Sequence, residues 1–199
     1  MKKALLTLAL AAGIASAQAQ TNTIGIKAGV GISSLAGTLS NYSSLNHVAY
    51  QAGLMGDLFL GEVVSFHPEA LYTKLYFDAT ESGKTSLDPL SRDVDYINVP
   101  LLVRYHADGL FFEAGPEVNF ALSAKNEAGS DVKGDVTAVP IDYVVGLGYE
   151  LKSGLSASVR YDGGISKTYK TSAGNGLGNG NLRSSTFWFG LGYAFGGSK

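Results

Sequence analysis

The sequence predicts an all-β chain closed into an eight-stranded antiparallel up-and-down transmembrane β-barrel. Three observations carry that expectation. Large apolar residues recur at every second position in eight segments, tight turns alternate with long polar loops between those segments, and an export signal precedes them all. Period two marks a strand with two unlike faces.

The first twenty residues set the compartment. Met1-Lys2-Lys3 is a basic start, Ala4 to Ile14 an apolar run and Ala17-Gln18-Ala19 a small-residue cleavage site, so residues 1–19 read as a secretory signal peptide and 20–199 as one barrel domain. The apolar run falls short of the roughly 20 residues a helical anchor needs. No later segment is long and apolar enough either, which leaves strands as the only way across a bilayer. The 199 residues include no cysteine, hence no lipidated cysteine and no disulfide. A net charge of -2 gives no electrostatic case for binding nucleic acid.

The first strand sets Ile24, Ile26, Ala28, Val30 and Ile32 against Gly25, Lys27, Gly29 and Gly31, and a polar loop follows over 33–47. The second sets Val48, Tyr50, Ala52, Leu54 and Leu58 against Gln51, Gly53 and Asp57, and turns near Gly61-Glu62. The third sets Phe66, Ala70, Tyr72 and Tyr76 against His67, Glu69 and Thr73, before a long loop over 77–93. In the fourth, Ile97, Val99, Leu101, Val103 and Tyr105 oppose Tyr96, Asn98, Pro100 and Arg104, and His106-Ala107-Asp108-Gly109 is a tight turn.

The fifth strand carries Phe112, Ala114, Val118, Phe120 and Leu122 opposite Glu113, Gly115, Glu117 and Asn119, and its loop runs from 123 to 137. The sixth carries Ile141, Tyr143, Val145, Leu147 and Tyr149 opposite Asp142, Gly146, Gly148 and Glu150; Lys152-Ser153-Gly154 is a hairpin turn of the kind glycine permits. The seventh opposes Leu155, Ala157, Val159 and Tyr161 to Ser156, Ser158, Arg160 and Asp162, and a loop over 166–185 leads to the eighth, Thr186 to Phe195. Short turns at one end, long loops at the other and an even strand number are the pattern of an outer-membrane barrel. Pro68, Pro100, Pro116 and Pro140 interrupt strands in a barrel with no free edge, so bulges are expected there.

Alternation alone does not say which face is wet, and a soluble lipocalin-like barrel has its apolar face inside. Three observations favour the membrane: the opposite face is packed with glycine and carries charges of both signs, the loop asymmetry has no reason in a soluble barrel, and the aromatics collect at the strand ends. Tyr50, Tyr72, Tyr76, Phe120, Tyr143, Tyr161 and Phe187 gather near the long loops, and Phe66, Tyr105, Phe112, Tyr149, Tyr193 and Phe195 near the turns, around an aliphatic middle. Two girdles around such a band suit a bilayer. The location expected is the cell outer membrane, with its lipid as surroundings.

Tyr96 to Tyr105, Phe112 to Glu117, Gly146 to Glu150, Arg160-Tyr161 and Gly190 to Phe195, with His67-Pro68-Glu69 and Leu71-Tyr72, resemble the small outer-membrane β-barrel family commonly labelled porin-like in Bacteroidetes-type bacteria. The resemblance implies an OmpA- or OmpX-like eight-stranded barrel and carries no agreed activity. One departure is that Gly196 to Lys199 follow Phe195, where many outer-membrane proteins end on the aromatic residue of their assembly signal.

The charges on the inner faces form the one strong cluster: Lys27, Asp57, Glu69, Arg104, Glu113, Glu117, Asp142, Glu150, Arg160 and Asp162. An eight-stranded interior is just wide enough for side chains, so these groups are expected to satisfy one another as structural glue. Arg160 should lie opposite Gly146 and reach over it to Glu117. A gated ion path is the alternative, and the acid excess would favour cations.

His47, His67 and His106, even with Ser43 and Ser44 near His47, are too sparse for a catalytic triad. His67 and Glu69 read as a hydrogen-bonded pair rather than a metal site. No catalytic, cofactor or metal residue is assigned. The glycine-rich run 174–180 neither leaves a parallel strand nor opens a helix, so it is no phosphate cradle. Lys167, Lys170 and Arg183 flank it in what reads first as an ordinary solvated loop, with contact to the phosphates of surface glycolipid as the alternative, and Tyr42 and Tyr169 are candidate adhesive contacts. The function expected is a structural or surface-interaction role in the envelope, with a narrow pore for small solutes or ions as alternative and an enzyme as a distant third. The partners expected are lipid, surface glycolipid and the barrel-assembly machinery, with the chain a monomer.

Overall fold

A computed structural model describes residues 22–37, 42–81, 92–126, 129–170 and 181–195. They form nine strands: β1 (Thr23–Ala36), β2 (Tyr42–Leu45), β3 (His47–Phe59), β4 (Val64–Glu81), β5 (Arg92–Ala107), β6 (Leu110–Asn126), β7 (Ile141–Glu150), β8 (Leu155–Gly164) and β9 (Arg183–Phe195). Eight of them make a closed antiparallel ring in the order β4, β3, β1, β9, β8, β7, β6, β5 and back to β4. The expected eight-stranded barrel is therefore present. The short β2 lies outside the ring, paired with the far end of β4 within the loop expected over 33–47.

The turns form where the sequence asks for them. Asp108 and Gly109 both take positive φ (50° and 85°), as a two-residue hairpin loop between right-twisted strands requires, and Gly154 (φ 86°) serves the β7–β8 turn. Five strands overrun their expected ends at the long-loop side: β4 reaches Glu81, β5 starts at Arg92 and β6 reaches Asn126, while β1 runs on to Ala36 and β9 starts at Arg183. A bilayer needs only about 9–11 residues of tilted strand, so this wall of sheet stands beyond the apolar band. There the outward positions are no longer apolar, and the alternation that reveals a membrane strand fades.

The apolar face points outward. Leu191 is 64 % and Leu54 57 % exposed, while Lys27 and Glu69 are 5 % and 3 % exposed, the reverse of a lipocalin-like barrel. Tyr50, Tyr72, Phe120, Tyr143 and Phe187 are exposed at one end of the band, and Tyr105, Phe112, Tyr149, Tyr193 and Phe195 at the other. The Tyr161 ring links Tyr143 and Phe187 into a row, with centroids 5.9 and 4.8 Å away.

The bulges expected at the prolines are not there. Pro68 pairs with Leu101, Pro100 with Glu117 and Pro116 with Tyr143; each lacks its pairing on the other side, and the register resumes unshifted. The missing donor thus costs one ladder contact in place rather than an extra residue. Pro140 precedes β7, where its carbonyl accepts the Asn119 N–H at 3.0 Å. The one register shift at β5–β6 falls at Asp95/Tyr96.

Candidate functional site

The inward positions of the ring divide into three layers along the barrel axis. The first lies toward the short turns and contains seven of the ten sequence-predicted charges. Glu69 on β4 accepts hydrogen bonds from both terminal nitrogens of Arg160 on β8 (2.7 and 2.7 Å) and from Lys27 Nζ on β1 (3.2 Å). Glu113 on β6 accepts from Arg160 Nε, and from Arg104 Nε and NH2 on β5 at 3.2 and 2.9 Å. Asp57 on β3 accepts from Arg104 NH1 (3.1 Å) and from Ser65 Oγ (2.8 Å), and Glu150 on β7 lies 3.8 Å from Arg104 NH1.

His67 Nε2 sits 2.8 Å from both Glu69 and Arg104, so the expected His67–Glu69 pair forms inside this larger network. The Arg104 guanidinium lies over the Phe111 ring at 4.0 Å. Seven of the eight ring strands contribute a charge. Apart from Glu150, whose side chain is 10 % exposed, the side chains in these ion pairs are 0–5 % exposed. Charges so buried are stable only when paired and hydrogen-bonded, and here Asp57, Glu69 and Glu113 each share two or more donors.

The second layer is acidic. Glu117 on β6 and Asp142 on β7 are direct cross-strand partners, and Asp162 on β8 faces Thr186 on β9. Asn98 Nδ2 donates to Glu117 Oε1, and Asn119 Nδ2 to Asp142 Oδ2, each at 2.9 Å.

The expected Arg160–Glu117 pair is therefore corrected to Arg160 with Glu113 and Glu69. The reason is register. Gly146 pairs with Arg160 on one side, as expected, and with Glu113 on the other, whereas Glu117 lies four residues up β6, about 13 Å at strand spacing.

The third layer is apolar and is built by the segments after β6 and β8. Val136 and Tyr169 form a bridge, Thr137 N–H donates to the Thr168 carbonyl (2.9 Å), and Thr168 N–H to that of Leu182 (2.9 Å). They bury Val136, Tyr169 and Leu182 against Leu75, Val94, Tyr96 and Trp188. Tyr169 is 3 % exposed, so the adhesive role expected for it is replaced by a role in this cap. The Tyr42 side chain and the run 174–180 lie outside the described residues.

Ser65, Asn98, Phe111, Asn119, Thr186 and Trp188 complete these layers and escaped the reading of charges alone. All sit on the inward parity of their strands, which is the signal that finds them. Ser65 Oγ donates to Asp57 and lies 2.9 Å from His106 Nε2. A triad needs the acid on the histidine, not on the serine, and Ser65 is wholly buried.

The family described as outer membrane protein beta-barrel domain matches residues 17–170. Among solved structures, the chain is similar to Neisserial surface protein A, at 12% identity and a TM-score of 0.54, over 87% of this chain and 99% of that one. It is also similar to Ail, the attachment invasion locus protein of Yersinia pestis, in complex with the heparin analogue sucrose octasulfate, at 15% identity and a TM-score of 0.50, over 88% of this chain and 100% of that one. At such identities the likeness is one of fold. No curated protein sequence matches.

Proposed function

The chain belongs to the outer membrane protein beta-barrel family, and from that premise we propose that it is a sealed barrel acting in envelope structure and in contacts made at the cell surface. Its place is the outer membrane, with lipid around the apolar band. The observation that carries the sealed reading is the ion-pair layer: carboxylates and guanidinium groups from opposite walls meet in the middle of the lumen. Above it stands the apolar cap.

The surface role is supported by the overrunning strands β4, β5 and β6, which raise a sheet wall above the membrane. Its rim is polar: Tyr72 Oη donates to Asp95 at 2.9 Å, and Lys74 stands 3.9 Å from Asp93. Lys167, Lys170 and Arg183 are exposed at the same end and suit the phosphates of surface glycolipid. Residues 1–19 act as a cleaved signal, the barrel-assembly machinery inserts the rest, and the barrel works as a monomer.

A narrow cation path is the second reading, favoured by the acidic layer over the ion pairs. Flux of a small cation separates the two. Vesicles carrying the mature protein should exchange entrapped potassium no faster than empty ones, and exchange at a channel's rate would reject the sealed barrel.

A further inference from the structure

Glu117, Asp142 and Asp162 place three carboxylates on neighbouring strands with no cation paired to any of them among the described residues. Arg160, two residues before Asp162, has its nitrogens committed to Glu69 and Glu113. Acids set directly opposite on adjacent strands repel, and unpaired acids at membrane depth are costly. Glu117 and Asp142 therefore stand where stability alone would not place them.

A second observation is independent of the acids. Asn98 and Asn119, register partners on β5 and β6, both turn their amide nitrogens to the carboxylates, and their Oδ1 atoms have no hydrogen-bond partner. Thr186 Oγ1 has none either. Asn98 and Asn119 are each 4 % exposed and Thr186 2 %, where a buried oxygen left without a partner is destabilising. All three residues line one small cavity with the three acids and Trp188, and its volume of about 20 Å³ admits one water-sized particle.

We propose that this cavity binds a single hard divalent cation, of the calcium class, between the ion-pair layer and the apolar cap. The donors are all oxygen, which selects against zinc and copper. Among the described residues no three acids or histidines converge as a ready-made metal cage. The ion is accordingly held by one or two carboxylates, the Asn98 and Asn119 carbonyl oxygens and the Thr186 hydroxyl, a mixed set that calcium accepts and magnesium's strict octahedron does not. It neutralises the facing Glu117 and Asp142 and satisfies the orphaned amide oxygens. The site needs only the folded barrel and holds whether or not the lumen conducts.

Trp188 is the chain's one tryptophan and lines the cavity, so it reports on this place alone. The test titrates terbium, as a calcium surrogate, into the refolded mature protein in neutral detergent and reads emission excited through tryptophan. Saturable emission that calcium displaces is expected. Glu117→Gln and Asp142→Asn, checked for folding by circular dichroism, should each weaken binding about tenfold or more. Trp188→Phe should lose the emission while keeping calcium binding by calorimetry. Absence of saturable emission from the unaltered protein, or equal affinity in folded Glu117→Gln and Asp142→Asn, would overturn the proposal.

Discussion

Arg160 and Glu69 stand on strands β8 and β4, four places apart whichever way the eight-strand ring is counted, yet two guanidinium nitrogens bond both carboxylate oxygens at 2.7 Å. The two residues face each other across the full lumen. No side chain passes through that plane without displacing them, because an eight-stranded interior is just wide enough for side chains to fill.

Loss of one member should cost more than the pair contributes. Arg160→Ala leaves Glu69 and Glu113 buried with fewer donors, and urea unfolding in detergent should show a loss of about 3–5 kcal/mol. The cycle with Glu69→Ala should be strongly non-additive, whereas the cycle with Glu117→Ala should be additive. Additivity with Glu69 would remove the cross-lumen bond from the argument.

Gly146 supplies the space for the crossing. A Cβ there would lie 2.8 Å from Arg160 Cγ and 3.1 Å from Glu113 Oε1, so Gly146→Ala should destabilise by about 1–3 kcal/mol through overpacking. Adding Arg160→Ala should cancel part of that increment, since the Val159 carbonyl oxygen would still lie 3.0 Å from the added Cβ. A neutral Gly146→Ala by the same unfolding measurement would mean the guanidinium does not pass there.

The long-loop end faces outward in this reading. Cysteines at the exposed Ser130 or Lys133 on intact cells should react with an impermeant thiol label, and one at Ser153 in the β7–β8 turn should not. The opposite labelling would invert the topology.

The cap is separable from the barrel. Val136→Asp places a charge among Tyr169, Leu182 and Trp188, and should release the two segments to trypsin at Lys133, Lys167 and Lys170. The barrel should keep its β circular dichroism and its heat-dependent gel shift. Unchanged trypsin sensitivity would show that the apolar contacts do not hold the segments down.

Strand count, ring connectivity and the inward parity of every lumen charge were legible because period two persists wherever one face meets lipid. What lies above the lipid was not. The outer ends of β4, β5 and β6, and all of Tyr42-Ser43-Ser44-Leu45, lack the apolar contrast that marks a strand.

Pairing inside the lumen was legible only in part. Arg160 opposite Gly146 follows from the hairpin turn, but Glu69 lies 91 residues away and is brought to Arg160 by closure of the ring, which no local pattern encodes. Tyr169 has the same cause: a single aromatic residue in a polar loop gives no sign that the loop folds inward.

Single-channel recording of the refolded mature protein in a planar bilayer tests the sealed lumen most directly. The unaltered protein should give no steady open level, and Arg160→Ala only small or rare openings, since Arg104, Glu113 and His67 still fill the plane. A stable open channel in the unaltered protein, blocked or closed by changes at Arg160 or Glu69, would contradict the seal and make the same residues a gate.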